Sequence, residues 1–195
     1  MKTALFAALL VLAAPLAGAG EPGPDALIRQ VSADVIAGVR TDPGIRAGDA
    51  AKAARLIEST IAPHVDFVRA TRIALGPAWR RADASQREEL VRQFSAMIVR
   101  VYAVALAAYR DDEITVLPLR AQPDDAEVTV RSQVKRPGTA PIAIEYEMER
   151  TGADWKVYDV RIEGISLVAS YRSAFADEIR NRGVDGLIRT LAQRR

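Results

Sequence analysis

Residues 127–150 read EVTVRSQVKRPGTAPIAIEYEMER, and their hydropathy alternates with a period of two. From Glu127 to Lys135, Val128, Val130 and Val134 fall on one face, against Thr129, Arg131, Gln133 and Lys135 on the other. From Ile142 to Arg150, Ile142, Ile144, Tyr146 and Met148 alternate with Ala143, Glu145, Glu147 and Glu149. Successive side chains of a strand point to opposite faces, so the pattern predicts half-buried strands of an antiparallel sheet with one wet face. Arg136-Pro137-Gly138 supplies turn chemistry between the two. Thr151-Gly152 does the same before a further strand, Trp155 to Ile162. The apolar positions of that strand change face between Val157 and Tyr158, which predicts a bulge. Ile114 to Leu119 reads as a preceding strand, placed at an edge because Pro118 has no N–H to donate.

Helical spacing flanks this sheet on both sides. Upstream, Asp83 with Gln86 three residues later forms a capping-box pattern. Leu90, Phe94, Met97, Ile98, Val101, Tyr102, Leu106 and Tyr109 then recur at steps of three and four over about five turns. Val91, Val104 and Ala105 widen that apolar face, so the helix is expected to be buried on several sides. Earlier helices are expected from Asp25 (as cap) to Val39, from Asp49 to Ile61 and from Asp66 to Leu75. The turn residues Thr41-Asp42-Pro43-Gly44 and Gly76-Pro77 separate them. Downstream, Ser166 can cap a helix with Leu167, Tyr171, Phe175 and Ile179 four apart, stopped by Gly183 and followed by a short helix, Val184 to Leu191. Helices, then strands, then helices describe an α+β domain: a curved antiparallel sheet of about four strands, covered by helices on one face.

The N-terminus reads differently from the rest. Met1-Lys2 is a short positive start, Leu5 to Leu12 is apolar, and Ala17-Gly18-Ala19 fits a small-x-small cleavage pattern. The apolar run is well short of the ~20 residues of a membrane span. The expectation is an export signal removed after Ala19, leaving one domain over residues 20–195. The chain has no cysteine, which removes disulfides, thiolate catalysis and thiolate metal sites. Its 27 Lys and Arg nearly balance its 25 Asp and Glu, which gives no support to nucleic-acid binding.

Candidate chemistry is sparse. The single histidine, His64, has Asp66 two residues on, but no thiol or Gly-x-Ser-x-Gly turn completes a catalytic set. One His without Cys does not make a transition-metal site. Glu145, Glu147 and Glu149 read as the solvent face of a strand. Asp159 and Glu163 keep open an alternative: a small-molecule isomerase or hydrolase on a cone-shaped α+β fold. Arginines at 69, 72, 80, 81, 87, 92 and 100 read as solvated helix faces, with a phosphate-binding surface as the second reading.

Two runs resemble a known family. Pro63-His64-Val65-Asp66-Phe67, Leu75-Gly76, Trp79-Arg80, Gln86, Phe94 and Tyr102 to Tyr109 form the first. Trp155-Lys156-Val157-Tyr158-Asp159-Val160, Glu163-Gly164-Ile165-Ser166-Leu167-Val168, Tyr171-Arg172, Phe175 and Gly183 to Leu191 form the second and closer one. Both are similar to the MlaC family of periplasmic phospholipid-binding proteins, with Ser170 departing from the Asn usual before the Tyr. The resemblance implies helices and a curved sheet around a deep apolar pocket that encloses acyl tails. It further implies a periplasmic carrier between an outer-membrane lipoprotein–porin complex and the substrate-domain subunit of an inner-membrane ABC transporter. Neither a catalytic residue nor a cofactor is implied. On this basis Phe94, Ile98, Val101, Val130, Ile144, Tyr146, Leu167, Tyr171 and Phe175 are expected to touch acyl chains. The residue pattern alone serves a filled core equally well, because periodicity reports which side is apolar and not whether it is full.

Overall fold

Short acidic side chains start most of the helices, by accepting backbone N–H groups that have no partner within the first turn. The computed structural model describes residues 23–108, 113–122, 124–136 and 138–193. The expected export segment at residues 1–19, Tyr109 and Pro137 lie outside them. Helix α1 (Pro24–Thr41) begins at Gly23 with Pro24 in its first turn, so Asp25 is not the cap; it sits one residue in and pairs with Arg29. Asp42, expected in a turn, instead caps a short helix α2 (Pro43–Arg46) by accepting from Gly44 and Ile45. Asp49 caps α3 (Ala50–Thr60) and Asp66 caps α4 (Phe67–Leu75). Helix α5 (Ala84–Ala107) has the full capping box: Asp83 accepts from the Gln86 N–H, and the Gln86 side chain accepts from the Asp83 N–H.

The sheet is an open antiparallel meander in the order β1 (Glu113–Val116), β2 (Glu127–Lys135), β3 (Ile142–Thr151), β4 (Asp154–Ile162), β5 (Ile165–Ser166). Val130 stands opposite Tyr146, Tyr146 opposite Val160, and Ile144 opposite Ile162, which aligns one apolar face across three strands. The bulge is where the alternation predicts it. Glu147 pairs with Asp159 and Met148 with Val157, leaving Tyr158 as the extra residue.

The fifth strand corrects the expectation of about four. Glu163 and Gly164, with φ of 49° and 80°, form a two-residue turn that folds Ile165 back opposite Ile162. Ser166 therefore belongs to a strand, although its hydroxyl still accepts the Ala169 N–H and so starts the turn that leads into α6 (Arg172–Gln193). Gly183, with φ 70° and ψ 180°, divides α6 into the two helical segments that the glycine signals.

The covering of the sheet differs from the expected one. Leu27 and Ile28 of α1, not α5 and α6, pack on Val128, Val130, Met148, Trp155 and Val157. Helices α4, α5 and α6 form a second core around Phe94, Leu90, Met97, Phe175, Leu187 and Leu191. A third joins Val39, Ala53 and Ile57 to Val99 and Ala103 of α5. Each layer thus buries its apolar side chains mainly within itself or against α1. The physical reason is the width of the α5 apolar face, which is taken up by neighbouring helices on two sides and leaves little to close against the strands.

Candidate functional site

Between α5 and the strands lies a cavity of about 680 Å³. That is within the ~300–1,000 Å³ typical of small-molecule sites. Along α5 the wall is made by Phe94, Ile98, Tyr102 and Leu106, each four residues from the last and so on one side of the helix. Ile57, Ile61, Phe67 and Ala70 contribute from α3, α4 and the turn before α4. The strand wall is Ile144 and Tyr146 of β3 with Val157, Val160 and Ile162 of β4, and Leu167 and Val168 close the side.

Five of the nine residues expected at the site meet here: Phe94, Ile98, Ile144, Tyr146 and Leu167. The other four do not line the cavity. Val101 is 47% exposed on the outer side of α5, one residue off the lining stripe. Val130 is fully buried in the α1–sheet core, where α1 occupies the face that the sequence leaves open. Tyr171 and Phe175 stack on each other at 5.5 Å, and each meets the Phe94 ring edge-on at 5.4 Å. They back the wall rather than form it. Sequence reasoning passed over Tyr102 and Leu106 as lining residues although both belong to the same stripe. Ile61 and Val157 lie on the apolar faces of their expected elements, but nothing in that spacing says which of those faces borders a space.

Few polar groups reach the cavity, and most are already engaged. Asp159 is 6% exposed; its carboxylate accepts from the Ser166 hydroxyl at 2.5 Å and the Val168 N–H at 3.3 Å. The two contacts tie β4 to β5 and to the segment just after it. The Tyr158 hydroxyl donates to Glu127, while its ring lies 3.5 Å under the Arg69 guanidinium. The Ser132 hydroxyl donates to the Tyr146 hydroxyl at 3.4 Å, and burial raises the Tyr146 pKa. Tyr102 is pushed up to about 12, chiefly by burial and then by the neighbouring Tyr171 and Asp159. Arg136 brings a guanidinium to one exposed end.

The other sequence candidates fall outside. His64 sits in the short helical turn Ala62–His64 and does not line the cavity. Among the described residues no cluster of His, Cys, Asp and Glu is suited to a metal ion. The glutamate row faces arginines on the sheet's outer side: Glu145 with Arg131, Glu147 with Arg161 and Glu149 with Arg69. Arg69 also reaches Glu127, Arg92 pairs with Glu89, and Arg87 donates to the Trp79 carbonyl. Local pairing accounts for these three arginines.

Comparison with known proteins places this arrangement. The family model of the MlaC protein matches residues 29–193. The chain belongs to the MlaC family. Its fold is similar to that of a phospholipid-binding protein from Ralstonia solanacearum, solved in complex with a phospholipid. The two share 37% identity and a TM-score of 0.81, over 89% of this chain and 97% of that one. Among curated proteins, this MlaC-family chain is 23% identical to the intermembrane phospholipid transport system binding protein MlaC of Haemophilus influenzae, over 89% of this chain and 82% of that protein. It is 30% identical to the toluene tolerance protein ttg2D of Pseudomonas putida over a shorter stretch, 54% of this chain and 49% of that one.

Proposed function

We propose that this chain is a periplasmic phospholipid carrier that holds acyl tails in the cavity between α5 and strands β3 and β4. The observation that carries the reading is the hollow itself, apolar on both walls. Belonging to the MlaC family and likeness to a phospholipid-bound structure support it. The residues given the acyl contacts are Phe94, Ile98, Tyr102, Leu106, Ile144, Tyr146, Val160, Ile162 and Leu167. Tyr171 and Phe175 act through Phe94, and Val130 and Val101 are not assigned a tail.

Burying a CH₂ is worth ~0.8 kcal/mol, so two tails of about thirty CH₂ groups gain on the order of 20 kcal/mol relative to water. In a bilayer those tails are already out of water. Transfer between bilayer and carrier is therefore close to balanced, which lets the carrier both load and unload. Direction then comes from the partners: the substrate-domain subunit of an inner-membrane ABC transporter on one side and an outer-membrane lipoprotein–porin complex on the other. The exposed Arg80 and Arg81 form the docking surface assigned to them. Residues 1–19 direct export and are removed, and residues 20–195 are the carrier domain. No catalytic step is assigned, because Asp159, the buried acid at the cavity, already serves two internal donors.

The test is organic extraction of the purified protein followed by lipid analysis, with native mass spectrometry of the intact complex. Co-purified phospholipid at one molecule per chain is expected. Protein that arrives empty and stays empty after exposure to phospholipid vesicles overturns the proposal.

A further inference from the structure

The polar groups around the cavity are ordered along its length. Arg136 lies at the end where Ala105 and Ala108 of the α5 C-terminus are exposed. The topology requires this, since Arg136 follows Lys135, and Lys135 pairs with Glu113, the first residue of the strand after α5. At the other end, toward the buried Phe94 and Ala70, the lining includes Val168, whose N–H donates to the Asp159 carboxylate. Between the two ends stands Tyr102. It is six residues before Ala108, hence about 9 Å deeper along the helix.

The Tyr102 hydroxyl differs from the other polar groups of the lining. Asp159, Tyr146 and Tyr158 all have hydrogen-bond partners inside the protein. Tyr102 has none among the described residues, although it is half-buried in an apolar wall. Its oxygen is not sealed from water, so an acceptor on an entering ligand can take the place of a water partner. Burial keeps it protonated to about pH 12, so it is available as a donor throughout the physiological range.

Resting on the carrier reading, we infer that Tyr102 donates a hydrogen bond to an acyl ester carbonyl of the bound lipid. A glycerophospholipid presents an anion, then neutral ester carbonyls a few bonds further in, then hydrocarbon. The cavity lining offers a counterpart to each: the Arg136 guanidinium, the neutral Tyr102 donor and hydrocarbon walls. A carbonyl is the acceptor that fits the middle position. It is uncharged, so it tolerates the low dielectric near Asp159, and it lies between a charged group and a methylene chain. Tyr102 is then a positioning residue that sets how deep the tails are drawn.

The probe pair is a dioleoyl diester phosphatidylcholine and its diether analogue, which keeps the headgroup and tails but lacks both carbonyls. Delipidated protein is equilibrated with equimolar mixtures of the two, and the bound ratio is read by native mass spectrometry. The wild type is expected to favour the diester about fivefold, the scale of one net hydrogen bond. Tyr102→Phe is expected to bring the ratio close to one. An unbiased ratio in the wild type overturns the inference and leaves the carrier reading standing. A bias that survives unchanged in Tyr102→Phe overturns the assignment to Tyr102. If the wild type takes up neither lipid, the carrier reading fails and the inference fails with it.

Discussion

Ile98 occupies the middle of the α5 wall, packed on one side against the α4–α5–α6 core and bordering the cavity on the other. Enlarging a side chain in a filled core forces off-rotamer packing and costs about 1–3 kcal/mol. Enlarging one into empty space does not. Ile98→Trp is therefore expected to cut lipid co-purification severalfold while the urea unfolding midpoint stays where it was or rises. A large drop in the midpoint would mean that the space is already occupied. Two tyrosines at the same site make a second expectation. Burial raises the Tyr102 pKa from 10.0 to about 12 and raises that of Tyr146. A pKa raised by folding favours the folded state below the unfolded pKa and loses that advantage as pH climbs through the folded one. Stability should therefore decline between about pH 10 and 12, and Tyr102→Phe should flatten part of that decline in thermal melts taken across the range.

At the level of elements, legibility depended on whether a signal was local. The bulge at Tyr158, the capping box at Asp83 and the starts of α3 and α4 are local matters of alternation and N–H satisfaction, and all are readable from residues within four positions. Strand β5 was not readable, because two residues carry no periodicity and a Ser suits a cap as well as a strand. The short α2 was hidden for the same reason, since Asp-Pro-Gly is both a turn and a helix start. Gly183 is the clearest case of a single residue shaping an element. Its φ of 70° with ψ of 180° is a region open essentially only to glycine, while an added Cβ there meets nothing within 4 Å. Gly183→Ala is therefore expected to cost about 1–3 kcal/mol through backbone strain alone, as seen by chemical denaturation. A neutral result would mean that α6 can run straight through this position.

For the whole molecule, the decisive property was the one that residue patterns do not carry. Val130 and Tyr146 sit on the same face of adjacent strands in direct register, yet one is sealed under α1 and the other borders a void. Which helix covers which part of a sheet follows from long-range packing, and nothing within either strand records it. The family resemblance, not the hydropathy, supplied the expectation of a hollow. A hollow has a thermodynamic signature that a filled core lacks. Ligand that binds only the folded state adds RT ln(1 + [L]/Kd) to stability, about 2.7 kcal/mol at a hundredfold excess over Kd. Delipidated protein should melt at a lower temperature than loaded protein, by several degrees in differential scanning calorimetry. Identical melting curves would argue that no lipid occupies the interior.

The cavity is pinned to the sheet where α4 and the turn before it meet strands β2, β3 and β4. The Asp66 N–H donates to the Val157 carbonyl, Lys156 to the Pro63 carbonyl, and Arg69 bridges to Glu127 and Glu149 across the Tyr158 ring. A pouch sewn along that seam does not stretch there. On the opposite side α5 leans on other helices rather than on the strands. The cavity thus has one edge tied to the sheet by hydrogen bonds and ion pairs, and one wall whose position is set by helix-on-helix packing.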